Sequence, residues 1–217
     1  IITDNGDGTY TVTFHDRNEP TGKRAVRVNT DFYESTVEGR IGHANSGTGT
    51  GEENEKWAAV VERAYIKAYG QAGTITEGGS PGVVMERLTG VSGTAFTVAP
   101  SAFDDKDVVA AIERAGFKAP KLTLESLSEL HQSGHAITFG TFDKETASTN
   151  DAYHRPGAQA YPYGLGLRGD HAYVVTNVDA ANRTVTVHNP WGTEKDIEIP
   201  YDHLQKVFLT AHANPVK

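Results

Sequence analysis

The segment from His171 to Gly192 is the most informative part of this 217-residue sequence. It reads His171-Ala172-Tyr173-Val174-Val175-Thr176-Asn177-Val178, then Asp179-Ala180-Ala181-Asn182, then Arg183-Thr184-Val185-Thr186-Val187-His188-Asn189-Pro190-Trp191-Gly192. Two runs rich in β-branched residues around a short polar turn predict an antiparallel β-hairpin. With the turn centred on Ala180, His171 is expected directly opposite Asn189, where cross-strand Cβ atoms lie roughly 4.5–5.5 Å apart.

Strand alternation also predicts which side chains share a face of this hairpin. Period two places five of them together: His171, Tyr173, Val175, Val187 and Asn189. An Asn carboxamide beside a His accepts the ring N–H and fixes the tautomer and orientation of the ring, which is the role of the third member of a Cys-His-Asn triad. The prediction depends on the register, because a one-residue slip would move the two side chains to different faces.

Composition excludes several functional classes. The formal net charge is −8 and the basic residues are scattered among acids, which argues against nucleic-acid binding, because phosphate contacts need clustered Lys and Arg. No run of about 18 apolar residues occurs, so no membrane span is expected. No signal peptide is visible, although a processed chain would look the same, so the localisation of this soluble protein stays open between cytoplasmic and secreted.

The cysteine count sets the sharpest limit on function. The sequence contains no cysteine, which excludes disulfides, thiolate metal sites and a thiol nucleophile within these residues. His131 and His135 have the i, i+4 spacing of a zinc pair, but Ser133 and Gly134 between them break a helix, so a zinc site is not expected.

Residues 1–79 form the first of two expected domains, β-rich at its start and helical afterwards. Strands are predicted at residues 8–14 and 24–28, with a turn at residues 5–8. A helix is predicted over residues 54–69 and a C-cap at Gly70. Apolar residues at helical spacing define the buried stripe of that helix, in which we expect a core tryptophan: Trp57, Val60, Val61, Ala64, Tyr65 and Ala68.

Residues 80–217 form the second expected domain, after a glycine-rich break at residues 78–82 that suits a hinge. Helices are predicted from Pro81, over residues 104–112 and from Thr123 to about His131. Strands are predicted at residues 94–98, 136–140, 171–178, 183–188 and 207–211, with residues 193–196 as a solvated connection. Residues 146–169 form a long loop of the kind that often acts as a lid. The expected fold class is α+β.

A family resemblance follows from these motifs. His171-Ala172-Tyr173 followed by Asn189-Pro190-Trp191-Gly192 resembles the histidine and asparagine motifs of calpains, a family of papain-like cysteine proteases. The segment from Glu55 to Lys67 and the glycine pair Gly78-Gly79 are similar to the calpain segment that runs from the first core subdomain to the hinge. Residues 197–209 resemble the end of the second subdomain. The resemblance covers about residues 50–212 and is loose over the first fifty.

The resemblance implies a role for each matching residue. His171 would be the general base and Asn189 would orient it, while Trp191 would shield the pair. Gly78 or Gly79 would offer backbone hydrogen bonds to an extended peptide substrate. The implied fold is a papain-like calpain core, with an antiparallel sheet subdomain that carries the His and Asn and with part of the helical subdomain. The substrate would be a peptide or protein.

The sequence also departs from the calpain pattern. Calpains carry their cysteine upstream of the segment that Trp57 resembles, and no cysteine occurs here. Asp170 stands where calpains usually have glycine, and its carboxylate is expected to raise the pKa of His171 or to crowd the substrate path. Glu55 is the one candidate calcium ligand, against the simpler interpretation as an acid at a helix N-terminus. No cofactor is expected with certainty, and the lack of acidic calcium loops indicates a bacterial version.

Two functional classes therefore stay open. The first is a calpain-like cysteine endopeptidase whose cysteine lies on an upstream or separate segment, through processing or truncation, so that its own N-terminal fragment would be a partner. The second is an inactive pseudoprotease that acts as a peptide-binding or interaction module.

Overall fold

A computed structural model of the chain describes residues 2–29, 57–70, 80–98, 122–142, 167–190 and 195–216. Within these residues it contains nine strands in two antiparallel sheets and four helices, so the predicted α+β class is confirmed. The chain divides into two compact units, Ile1–Val91 with Pro190–Glu194 and Ser92–Asn189 with Lys195–Lys217. In the described residues no helix is long and apolar enough to cross a membrane.

The first unit contains a three-stranded sheet in the order β1-β2-β3, formed by β1 (Ile2–Asp4), β2 (Thr9–His15) and β3 (Lys23–Asn29). The predicted turn between β1 and β2 is confirmed. Its two glycines have φ angles of 74° at Gly6 and 78° at Gly8, a conformation that suits glycine because it lacks a Cβ.

Two helices pack against this sheet, α1 (Trp57–Tyr69) and α2 (Pro81–Thr89). The stripe of α1 supplies Val60 and Ala64 to a core with residues of β2 and β3, and the N–H of Gly70 bonds to the carbonyl of Ile66, as expected at a C-cap. Trp57 was expected in the core and this is wrong, since it is 57% exposed. It occupies the first position of the helix, beyond the part of α1 that faces the sheet.

The boundary between the units differs from the predicted one at residues 79 and 80. Helix α2, which was expected to open the second domain, packs against β2 in the first unit, and the division follows Val91. The glycine-rich break suggested a hinge, but helix α2 packs against β2, which precedes that break in the chain. The correspondence of either unit to a calpain subdomain stays a prediction.

The second unit contains a six-stranded antiparallel sheet in the order β4-β9-β5-β6-β7-β8. The strands are β4 (Thr94–Thr97), β5 (His135–Thr141), β6 (Ala172–Asp179), β7 (Thr184–His188), β8 (Ile197–Pro200) and β9 (Phe208–Pro215). Helix α3 (Leu124–Gln132) begins with the predicted cap, in which Thr123 accepts from the N–H of Ser126 and the Ser126 side chain accepts from the N–H of Thr123. Leu127 of this helix packs into the core of the unit.

The end of the chain holds one strand and one helix more than predicted. Strand β8 and helix α4 (Tyr201–Val207) lie between β7 and β9, after the connection predicted at residues 193–196, where no strand or helix was predicted. Strand β8 is four residues long with Ile197 and Ile199 facing the core, a signal too short to distinguish from a loop by periodicity. The helix predicted at residues 104–112 and nearly all of the loop at residues 146–169 lie outside the described residues.

Candidate active site

His171 and Asn189 come together at one end of the β6–β7 pair. His171 directly precedes β6 and Asn189 directly follows β7. Nε2 of His171 lies 2.9 Å from Oδ1 of Asn189, and Asn189 is only 1% exposed. Because an amide oxygen can only accept, Nε2 carries the proton in this contact and Nδ1 of the neutral ring is left as a proton acceptor. The pair therefore fixes which ring nitrogen is basic.

The register of the two strands differs from the predicted one. The structure pairs Val174 with His188 and Val175 with Val187, and a bulge at Thr176 shifts the pairing nearer the turn. Continued by one residue, this register sets Asn189 opposite Tyr173 and diagonal to His171. The expected position directly opposite is wrong by two residues, and an even offset keeps both side chains on the same face. Diagonal neighbours lie within reach of long side chains, so the contact still forms.

The shared face of the hairpin is confirmed. Tyr173, Val175, Val187 and Asn189 are buried, and His171 is half-buried beside them. The rings of His171 and Tyr173 meet edge to face, with centroids 5.0 Å apart and planes at 88°. This packing holds the imidazole from one side, while the carboxamide of Asn189 holds it at Nε2.

Sequence reasoning missed the residue that binds the main chain of His171. The N–H of Thr141 donates to the His171 carbonyl at 3.0 Å, and the N–H of His171 donates to Oγ1 of Thr141 at 3.0 Å. The Thr141 hydroxyl also lies 2.8 Å from the carbonyl of Arg168, while the N–H of Arg168 donates to the Tyr173 hydroxyl at 2.8 Å. No motif marks Thr141; only its position opposite His171 in the β5–β6 register could have indicated it.

The family comparison agrees with these features. A sequence model described as "Calpain family cysteine protease" matches residues 5–201. The chain belongs to the calpain family of cysteine proteases. No curated protein matches it. The match extends through the N-terminal sheet, where the motifs alone gave only a loose resemblance. This calpain-family chain contains no cysteine among its 217 residues, so the nucleophile of a cysteine protease is not among them.

Asp170, which directly precedes His171, has a backbone conformation that favours glycine. Its φ is 52°, a left-handed conformation that Asp tolerates better than most residues other than glycine. Its N–H donates to the carbonyl of Phe142 at 2.8 Å, which holds the backbone in this turn. The side chain of Asp170 is exposed. Its expected effect on His171 stays a prediction.

The other predicted site residues of this calpain-family chain lie outside the described residues. They are Trp191, the glycine pair Gly78 and Gly79, and Glu55. Their proposed shielding, substrate-binding and calcium-binding roles stay predictions.

The described residues supply no ligand set for calcium. Among them, no group of three or more His, Cys, Asp or Glu side chains is placed to hold a metal ion. The N-terminal turn with its two acids does not provide one, because Asp4 accepts from the N–H of Gly6, and Asp7 accepts from Thr9 and pairs with Arg27.

Proposed function

We propose that this chain provides the histidine–asparagine part of the active site of a calpain-like cysteine endopeptidase. His171 is the general base, Asn189 orients it, and the thiol comes from a cysteine outside these 217 residues, on an upstream or separate segment. The observation that carries the proposal is the 2.9 Å contact between His171 Nε2 and Asn189 Oδ1 in a chain of the calpain family. The second compact unit then corresponds to the second subdomain of a papain-like core, and the first unit to the remainder of the first subdomain.

The proposed chemistry uses Nδ1 of His171, the ring nitrogen that does not face Asn189. Nδ1 of His171 takes the proton of the cysteine thiol, which gives a thiolate and an imidazolium that the Asn189 oxygen stabilises. The thiolate attacks the peptide carbonyl carbon, and the imidazolium then protonates the leaving amine as the C–N bond breaks. An acyl-enzyme remains. Nδ1 next accepts a proton from a water molecule, whose oxygen attacks the thioester carbon. The C–S bond breaks to release the carboxylic acid, and the imidazolium returns its proton to the thiolate.

The remaining predicted roles concern the substrate and the surroundings of the pair. We assign Gly78 or Gly79 to main-chain hydrogen bonds with an extended peptide, and Trp191 to shielding the His171–Asn189 pair from water. Shielding matters because a hydrogen bond to a charged ring is worth more where water is excluded.

One observation favours the alternative function. None of the 217 residues is a cysteine, and no motif places a serine or threonine to replace it. A natural pseudoprotease that kept the cleft as a peptide-binding or interaction module has the same composition. The two functions differ in whether a cysteine accompanies this chain in the natural gene product.

Intact mass and N-terminal sequencing of the natural gene product separate the two functions. The endopeptidase requires a cysteine-bearing segment, either in the same chain or co-purifying with it, that a thiol-reactive peptide probe labels. If the natural gene encodes no such cysteine, the endopeptidase proposal fails and the pseudoprotease stands.

A second experiment tests the base itself in the cysteine-containing protein. H171A is expected to abolish peptide cleavage, because the thiol then has no proton acceptor. H135A is the matched control. His135 contacts Ser133 and begins β5, whereas Thr141, at the other end of this strand, contacts His171. Cleavage by H171A at the wild-type rate would refute the assignment.

A further inference from the structure

We propose that Thr141 is a positioning residue for His171, a role that rests on the proposed function of His171 as the base. Thr141 binds both backbone polar groups of His171. Its N–H donates to the His171 carbonyl at 3.0 Å, and its Oγ1 accepts from the His171 N–H at 3.0 Å. Thr141 therefore holds the main chain of His171 at both its N–H and its carbonyl, once through its hydroxyl and once through its own main chain.

The register explains why a side chain is needed here. Strands β5 and β6 pair Thr138 with Val174, Phe139 with Tyr173 and Gly140 with Ala172. The next pair in this series is Thr141 with His171. In a regular hydrogen-bonded antiparallel pair, the two residues exchange two main-chain bonds. Here one of these bonds is made by the main chain, and the other ends on the Thr141 hydroxyl.

Strand β5 is irregular at Thr141, where the side-chain hydroxyl takes the place of the main-chain carbonyl as acceptor. The pairing of β5 with β9 shifts between Gly140 and Thr141, and such irregularities re-aim backbone groups at the end of a strand. Thr141 is 8% exposed. Water therefore has little access to the Thr141 hydroxyl, and loss of this acceptor would cost the free energy of the bond to the His171 N–H.

The same hydroxyl also fixes the turn that leads to His171. Oγ1 of Thr141 lies 2.8 Å from the carbonyl of Arg168 and 3.1 Å from that of His171. Its single proton serves one of these carbonyls, and its lone pair receives the His171 N–H. Thr141 therefore ties the end of β5 to both ends of the segment from Arg168 to His171.

Asn189 and Thr141 therefore hold different parts of His171. Asn189 on the β7 side holds the ring at Nε2, and Thr141 on the β5 side holds the main chain. Catalytic side chains must be held within about 0.5 Å of their productive position, and a displacement of about 1 Å can cost roughly a hundredfold in rate. Loss of the Thr141 hydroxyl should therefore weaken the His171–Asn189 contact without touching the ring.

The test uses the chain as it is, with ¹⁵N-labelled histidine and NMR detection of the His171 ring nitrogens. In the wild type we expect neutral His171 to be almost entirely the Nε2–H tautomer. T141V keeps the shape of the side chain and removes the acceptor. It should lower the ratio of Nε2–H to Nδ1–H tautomer about fivefold, the factor that corresponds to one typical hydrogen bond, and T141S should restore it.

Two controls make the result specific. T138V removes a hydroxyl from the same strand and should leave the His171 ring signals unchanged, because Thr138 faces Val174 and not His171. Should T141V fail to fold, T141A is measured in the same way, because it removes the hydroxyl without retaining γ carbons. The His171 amide in the wild type should also be protected from hydrogen exchange.

The failure of this proposal is distinguishable from failure of the proposed function. If N189A changes the His171 tautomer and folded T141V or T141A does not, Thr141 has no positioning role and the His171–Asn189 function stands. A rapidly exchanging His171 amide in the wild type also overturns the role of Thr141. If N189A leaves the tautomer unchanged, the oriented base itself fails, and the positioning role fails with it.

Discussion

Asn189 reaches His171 on a diagonal across the β6–β7 pair, with 2.9 Å between Oδ1 and Nε2. The strand register carries Asn189 to a position opposite Tyr173, one residue beyond the pair of His188 with Val174. The carboxamide is buried and projects back to the residue that precedes β6. The contact therefore depends on the lengths of both side chains as well as on the alignment of the strands.

Substitution of Asn189 is predicted to reduce stability and kcat more than substitution of an exposed asparagine. N189A leaves the ring Nε2–H of His171 without its acceptor and should lower the free energy of unfolding by about 1–3 kcal/mol. In the cysteine-containing protein the same energy, if it is realised in the transition state, lowers kcat roughly 5- to 150-fold with little change in KM. Urea unfolding and steady-state kinetics measure the two effects.

N182A is the matched control for this variant. Asn182 lies in the exposed turn, where it bonds to Asp179, and its loss should cost less stability and leave kcat unchanged. Equal effects of N182A and N189A would contradict a special role for Asn189.

The backbone and the charge of Asp170 can be separated by substitution. Its φ of 52° predicts that D170G is tolerated, while D170A costs about 1 kcal/mol more than D170G because Ala has a Cβ and lacks the short polar side chain. D170N keeps a residue suited to this conformation and removes the charge. We expect D170N to lower the pKa of His171, because an adjacent carboxylate favours the imidazolium. NMR titration of His171 checks this, and an unchanged pKa would remove the electrostatic role of Asp170.

Gly90 is predicted to be less replaceable than Gly22 in the same unit. Both have positive φ, 77° and 67°, so alanine at either position costs about 1–2 kcal/mol of backbone strain. A Cβ at Gly90 would also lie 2.7 Å from the His15 ring, whereas a Cβ at Gly22 meets nothing within 4 Å. G90A should therefore destabilise the protein more than G22A in thermal unfolding. Equal destabilisation by G90A and G22A would contradict this prediction and would show that the His15 ring moves aside without cost.

Asp16 is predicted to contribute stability that is lost in acid. The N–H of Asn18, 3.0 Å away, and the guanidinium of Arg24, 3.1 Å away, hold the pKa of this carboxyl below its ordinary value of 3.8. A carboxyl with a lowered folded-state pKa stabilises the protein above its unfolded pKa, and this contribution disappears as the pH falls through the folded value. D16N should therefore be less stable than wild type at pH 7, and the difference should shrink below about pH 4.

Urea unfolding of both proteins over this pH range measures the effect. D202N breaks an exposed ion pair with Arg183 and should change stability by less than about 1 kcal/mol at neutral pH. A gap between wild type and D16N that stays constant down to pH 3 would exclude the ionised carboxyl as its source.

The sequence predicted those elements whose signal is periodic or capped. Strands β2, β3, β5 and β6, helix α1 and the Thr123 cap were found close to their observed bounds. The hairpin face was found because alternation survives an even shift in register. The bulge at Thr176 was missed because an extra residue in one strand leaves no mark in the pattern of apolar residues.

Other features depend on tertiary contacts that local patterns do not contain. The exposure of Trp57 reflects its place at the end of α1, and the position of α2 reflects its packing on β2. Thr141 is an ordinary strand residue in sequence, and only the pairing of β5 with β6 brings it to His171. His171 and Asn189 were predictable because motif and alternation agreed on them.

His171 is held from both neighbouring strands, by Thr141 on one side and Asn189 on the other, and this limits which segment can be grafted onto another protein. A designer who grafts residues 171–189 onto another sheet would carry the imidazole together with Asn189, and would leave behind the main-chain partner Thr141 on β5. The smallest transferable unit is therefore three adjacent strands, β5, β6 and β7. A search of other sequences for the two hairpin motifs alone would likewise accept chains whose histidine lacks its anchor on the neighbouring strand.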